Sequence, residues 1–89
     1  MSDLYSVSYE LRESGDVYDD LIQEIKMSPG YCYLLDSTWL ISTEETARQL
    51  YKRLVPFIYQ NDRIVVTAVA SGLHGRLPNE ALEWIDEHR

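Results

Sequence analysis

The chain has 89 residues, enough for one small domain and too few for two. Its apolar and charged fractions, 45% and 26%, are those of an ordinary soluble protein. No apolar run approaches the roughly 20 residues that a membrane span needs. Fifteen acidic against eight basic side chains leave a net charge of −7, which counts against strong nucleic-acid binding unless basic groups cluster locally or metal ions intervene.

No apolar signal-like run follows Asp3, so the expected location is cytoplasmic and no membrane partner is expected. Leu4 to Leu11 reads as a first strand, with Tyr5, Val7, Tyr9 and Leu11 on a core face and Leu4, Ser6, Ser8 and Glu10 on the other. Arg12 to Gly15 connects it to an amphipathic helix, because Tyr18, Leu21, Ile22 and Ile25 recur at helical spacing. Asp16, Asp19 and Asp20 crowd the start of this helix, where carboxylates are favoured by the helix dipole, and Ser14 or Asp16 is the expected cap. That preference explains the acidic cluster without a metal. Pro29-Gly30 ends the helix.

Gly30 to Thr43 reads as a β-hairpin turning at Asp36-Ser37, whose short side-chain oxygens can bond their own backbone. Tyr31, Tyr33 and Leu35 alternate with Cys32 and Leu34, and Trp39 and Ile41 alternate with Leu40. Large apolar groups therefore stand on both faces. A sheet with one wet face shows polar residues at every second position, so the second face is expected to be covered. Helices in so short a chain are too few for two faces, and the expected cover is a second copy, making a homodimer. Cys32, the single cysteine, is read as a buried, inert thiol within a strand.

Ser42-Thr43-Glu44-Glu45 matches a capping box and opens a second helix in which Ala47, Leu50, Tyr51, Leu54 and Ile58 share a face, ended or kinked by Pro56. Its outward face is expected to hold Arg48, Lys52 and Arg53, the one basic patch and hence the candidate contact for RNA or DNA. Ion pairing with Glu44 and Glu45 explains part of this patch without a ligand. Asn61-Asp62 is a turn. Arg63 to Ala70 forms a β-branched strand suited to burial on both faces. A loop with Gly72, His74 and Gly75 follows, and His74 has no nucleophile tied to it by spacing. Pro78 opens a closing helix with an apolar stripe of Ala81, Leu82, Trp84 and Ile85. The order strand, helix, strand, strand, helix, strand predicts an α+β, ferredoxin-like βαββαβ domain with two helices on one face of an antiparallel sheet, plus the C-terminal helix.

Three short motifs add a resemblance. Ser8-Tyr9-Glu10-Leu11 at the end of the first strand, Asp36-Ser37-Thr38-Trp39 at the turn, and Asn61-Asp62-Arg63 leading into Ile-Val-Val are similar to the small CRISPR-associated second protein and its relatives. Those relatives are the virulence-associated D toxins and a set of stand-alone proteins. The resemblance implies a ferredoxin-like protomer, a homodimer formed through the sheets and, in some members, metal-dependent cleavage of RNA or DNA. In those members an aspartate closes the first strand, and the position here is Glu10. Its counterpart across the dimer axis would bring two carboxylates together to hold Mg²⁺ and activate water. The matching turn residue is Ser37. A glutamate is one methylene longer than an aspartate, which shifts a metal by a distance octahedral Mg²⁺ tolerates poorly. The other reading of Glu10 is an ion-pair partner of Arg12 or Arg63.

Two functions follow as expectations. One is a homodimeric interaction module in nucleic-acid-related defence or regulation, weakly active or inactive as a nuclease, binding another protein or a nucleic acid. The alternative is a metal-dependent, toxin-type endoribonuclease that uses Glu10 and Ser37. A regulatory module binding a small ligand between protomers has only the fold behind it.

Overall fold

The computed structural model describes residues 2–13, 15–70 and 72–88. Strand β1 spans Asp3–Glu10; a 3₁₀ turn at Gly15–Tyr18 leads into helix α1 at Asp19–Lys26. Strands β2 (Gly30–Leu35) and β3 (Thr38–Thr43) form the hairpin about Asp36-Ser37. Helix α2 (Ala47–Leu54), a 3₁₀ turn at Val55–Phe57, strand β4 (Arg63–Ala68) and helix α3 (Asn79–His88) complete the chain. The sheet order is β2-β3-β1-β4 with every neighbouring pair antiparallel, so the domain is ferredoxin-like, as the element order predicts.

Register assigns the faces. Val7 stands opposite Trp39 on one side and Val66 on the other, and Tyr5 stands opposite Ile41 and Ala68. Tyr5, Val7, Trp39 and Ile41 therefore share one face. They bury there against Leu21 and Ile25 of α1 and Leu50 and Leu54 of α2, the residues that helical spacing had set on one stripe. At about 1.5–3 kcal/mol for each fully buried large aliphatic side chain, this layer is the main source of stability. The Tyr5 hydroxyl donates to the Glu45 carbonyl at 2.6 Å and ties β1 to the approach of α2.

The second face differs from expectation. Its β2–β3 half is covered by α3 of the same chain: Leu4, Leu40 and Ile85 form a second buried cluster, with Cys32, Leu34, Val69, Leu73, Leu77 and Trp84 packed against it. Leu40 is 1% exposed. The closing helix thus covers the part of this face where the large apolar groups of the hairpin stand. Its stripe docks through Ala81 and Ile85, with Trp84 half-buried and Leu82 exposed. The helix end meets the sheet at Gly30, where a Cβ would lie 3.1 Å from the Ser42 Cβ and 3.3 Å from the His88 Nε2. The His88 ring stacks on Trp84 at 4.0 Å, and its Nδ1 lies 2.7 Å from the Trp84 carbonyl, an acceptor.

Three local expectations change as well. The capping box of α2 is Thr46 with Gln49: the Thr46 hydroxyl accepts from the Gln49 amide and the Gln49 side chain accepts from the Thr46 amide. Ser42 and Thr43 remain in β3 because they pair with Leu4 and Asp3 of β1. Strand β4 ends at Ala68 and is an edge strand, exposed at Val65, although its β-branched run suits double-sided burial. Of the proposed caps of α1, Ser14 lies outside the described residues, and the residue preceding α1, Tyr18, makes no side-chain cap bond.

Candidate functional site

The last residues of β1, the hairpin turn and the first residues of β4 meet at one end of the sheet. The Tyr9 amide donates to the Ser37 carbonyl at 3.0 Å, which brings Ser37 beside the strand that Glu10 closes. The Ser8 and Thr38 hydroxyls lie 3.1 Å apart, and Glu10 stands opposite Arg63 in register. A shallow groove of about 210 Å³ runs between the strands here, lined by Ser8, Tyr9, Glu10, Arg63, Ile64 and Val65. On the helix side, the Trp39 Nε1 donates to the Tyr9 hydroxyl at 3.0 Å and holds that end of β1 to β3.

Within one protomer the Glu10 carboxylate is engaged by cations. Its Oε1 lies 3.0 Å from Arg12 Nη2 and 3.9 Å from Arg63 Nε, with 59% of the side chain exposed. Pairs this exposed contribute about 0–1 kcal/mol, so solvent or a ligand can displace the guanidinium groups at small cost. A divalent cation needs several oxygen ligands at short range. No group of three or more Asp, Glu, His or Cys side chains able to hold a metal occurs among the described residues. Glu10 alone, facing two guanidinium groups, does not make a Mg²⁺ site within one chain. The Ser37 side chain is exposed in its turn, and His74 is exposed in the loop beyond β4.

The basic patch contracts from three residues to two. Arg48 and Lys52 are exposed on α2, but Arg53 is turned inward and its side chain is only 23% exposed. Its Nε donates to Glu45 Oε2 at 3.0 Å, its Nη1 to the Glu24 carbonyl at 2.9 Å and Glu24 Oε2 at 3.0 Å, and its Nη2 to Ser28 Oγ at 2.8 Å. This fork clamps the C-terminal end of α1 to α2. Burial works to lower the Arg53 guanidinium's pKa and the two carboxylates outweigh it, so the group stays charged. Glu45 is held below the usual carboxylate range, first by Arg53 and then by the Thr43 hydroxyl, against the opposing effect of burial. Arg53 is a structural cation, not available for phosphate.

A second polar hub was not apparent beforehand. Asp62, at the entry to β4, accepts from the Arg12 amide, the Tyr59 amide and the Tyr18 hydroxyl, each at 2.8 Å. Burial alone would raise the Asp62 carboxyl; these donors outweigh it and hold the group below its ordinary value. The hub fixes the β1–α1 connection against the α2–β4 connection behind Glu10. The Asn-Asp turn signal marks the place, but nothing in the sequence pairs Tyr18 with a residue 44 positions away.

No protein-family model matches the chain, and no curated protein matches it. Among solved structures, the chain is similar to a hypothetical protein, TT1823, from Thermus thermophilus, with a TM-score of 0.66 and 18% identity over 88% of this chain and 96% of that one. At that identity the likeness establishes a shared ferredoxin-like fold and carries no activity with it.

Proposed function

We propose that this chain is a homodimeric macromolecular-interaction module, of the kind found in the CRISPR-associated second-protein family that its motifs resemble. Its role is binding in nucleic-acid-related defence or regulation. The observation that carries the reading is the half of the second sheet face that α3 leaves open. There Val65 is 55% exposed, with Ser8 opposite it and Thr67 exposed two residues on along β4. Small hydroxyls around one aliphatic side chain allow two sheets to approach closely, and a two-fold axis through this half makes the surface self-complementary. Glu10 and Arg63 stand at its rim and suit reciprocal ion pairing between copies. Light scattering on the purified chain at micromolar concentration is expected to return twice the protomer mass, and Val65→Asp to return the protomer mass with unchanged circular dichroism. A wild-type chain that stays monomeric at those concentrations overturns the reading.

The second reading, a Mg²⁺-dependent endoribonuclease, is favoured by the bond that holds the Ser37 turn beside the strand end carrying Glu10. Two copies would supply two Glu10 carboxylates, and Arg12 and Arg63 would have to release them. RNA incubated with Mg²⁺ or Mn²⁺ tests it. Cleavage that disappears in Glu10→Ala supports this reading, and cleavage undiminished in that variant removes Glu10 from the mechanism.

A further inference from the structure

We propose that the outer edge of β2, with the cleft between β2 and α3, is a docking site for an extended cationic peptide segment of a partner protein, which adds to the sheet as a fifth strand. This names a partner for the interaction-module reading and rests on that reading, but it requires neither the dimer nor Glu10. Among the described residues strand β2 is terminal in the sheet and pairs only with β3, so alternate N–H and C=O groups of residues 30–33, ahead of the irregularity between Tyr33 and Leu35, point away from the sheet. Edge strands are ordinarily blunted by charge, proline or a covering element. Gly-Tyr-Cys-Tyr-Leu-Leu carries no charge and no proline, whereas the opposite edge opens with Arg63.

Both faces of this edge are shaped to flank an added strand. On the helix side, the Tyr31 and Tyr33 rings lean on Trp39 with centroids 6.2 and 5.2 Å away, and the Tyr33 hydroxyl donates to Asp36 at 2.9 Å. Tyr33 nevertheless remains 54% exposed, so the rings form a fixed aromatic ledge whose ordering cost is already met. On the other side lies a cleft of about 430 Å³, lined by Cys32, Tyr33, Pro78, Glu80, Ala81 and Trp84. An edge strand beside a helix-walled cleft is the geometry in which main-chain hydrogen bonds give affinity and alternate side chains give selectivity.

Charge selects the occupant. Helix α3 carries Glu80, Glu83, Asp86 and Glu87 and no Lys or Arg over Asn79–His88, in a chain of net charge −7. Joining two β2 edges about a two-fold axis normal to the sheet would place two acidic α3 helices on the same side of the junction, where they repel. A peptide with Lys or Arg at alternate positions meets Glu80, the carboxylate that lines the cleft, favourably within the acidic field of α3, and its apolar alternate residues meet the tyrosine ledge.

The test uses the full chain and a fluorescein-labelled octapeptide of alternating valine and lysine, followed by anisotropy at low ionic strength and by amide exchange. Saturable binding is expected, weakened about tenfold or more by Glu80→Lys. N-methylation of alternate peptide residues, which keeps the charge and removes main-chain donors, is expected to abolish binding. The peptide is expected to slow exchange within residues 30–33 and to leave residues 63–68 unchanged. Absence of binding at millimolar peptide, equal binding of the N-methylated peptide, or protection at β4 instead overturns the proposal. Slow exchange in β2 that depends on protein concentration without peptide overturns it in favour of a second copy at this edge. A monomer in light scattering defeats the dimer proposed above and leaves these outcomes untouched.

Discussion

Replacing Arg53 by methionine, which keeps the apolar stem of the side chain and removes the guanidinium fork, separates a structural cation from a phosphate-binding one. The change deletes the donors to Glu45, the Glu24 carboxylate and carbonyl, and Ser28, and it leaves two carboxylates that are 22% and 27% exposed facing an apolar group. Losing one partner of a fully buried pair costs about 3–5 kcal/mol. An exposed pair contributes about 0–1 kcal/mol. A clamp roughly three-quarters shielded lies between these limits, at about 2 kcal/mol. With a urea dependence of about 1 kcal/mol per molar for a domain this small, the unfolding midpoint is expected to fall by about 2 M. The pH dependence gives an independent check. The folded-state Glu45 carboxyl is depressed, so its stabilisation is complete above the unfolded glutamate pKa and is lost as pH falls through the folded value. Without Arg53 the shielded Glu45 carboxylate loses the group that holds it charged, so the deficit of the variant should narrow on acidification. Urea titrations followed by circular dichroism at neutral and acidic pH measure both effects. A midpoint shift below about 0.5 M, or a deficit that does not change with pH, refutes the clamp.

Three further variants probe the other elements. Leu40→Ala empties a site that is 1% exposed beneath α3 and is expected to cost about 3 kcal/mol in urea unfolding, with faster amide exchange along Asn79–His88. Gly30→Ala places a Cβ 3.1 Å from that of Ser42 and 3.3 Å from His88 Nε2, so the end of α3 should lift, at a cost of about 1–3 kcal/mol, with loss of the Trp84–His88 ring contact in NMR spectra. Tyr18→Phe deletes the hydroxyl that donates to both Asp62 oxygens, so the Asp62 carboxyl pKa should rise in a side-chain NMR titration. The stability that this depressed group contributes above the unfolded aspartate pKa, and loses as pH falls, should shrink with it.

The hairpin was legible because turn chemistry at Asp36-Ser37 and two-residue alternation on either side agree. The stripes of α1 and α2 were legible for the same reason, since Leu21, Ile25, Leu50 and Leu54 repeat at the helical period and are the residues that bury. What failed was information held in the third dimension. Two consecutive S/T-x-x-E/Q patterns, at Ser42 and at Thr46, stand at the start of α2. Pairing of Ser42 and Thr43 with β1 decided between them. The β-branched run at Ile64–Val66 promised a central strand, but the crossover from β3 through α2 delivers it to the sheet edge. Arg53 occupies a position expected to point outward, yet a long side chain reaches Glu24 across 29 residues of sequence. The stripe on α3 was readable at Ala81 and Ile85; the surface it would meet was not, because nothing in the sequence pairs Ile85 with Leu4 and Leu40.

Geometry explains why α3 covers only half of its face. Four strands at about 4.8 Å spacing give a sheet about 14 Å across between the outer strand axes, and wider once side chains are included. A single helix is about 10 Å wide with its side chains and, at ten residues, about 15 Å long. Seated over Leu4, Leu40 and Leu34, it shields the β2–β3 side and leaves Ser8, Val65 and Thr67 near β4. The open half is poor in apolar groups, so the proposed contact there would bury little hydrocarbon and give a modest affinity that depends on close approach and on the rim charges. Glu10 and Arg63 are those rim charges, which couples the two readings of the site: a shared metal between two Glu10 carboxylates exists only if this same half forms the dimer. Loss of the contact at Val65 therefore removes the metal-dependent reading along with the dimer, while the β2 edge, on the far side of the sheet, keeps its own surface.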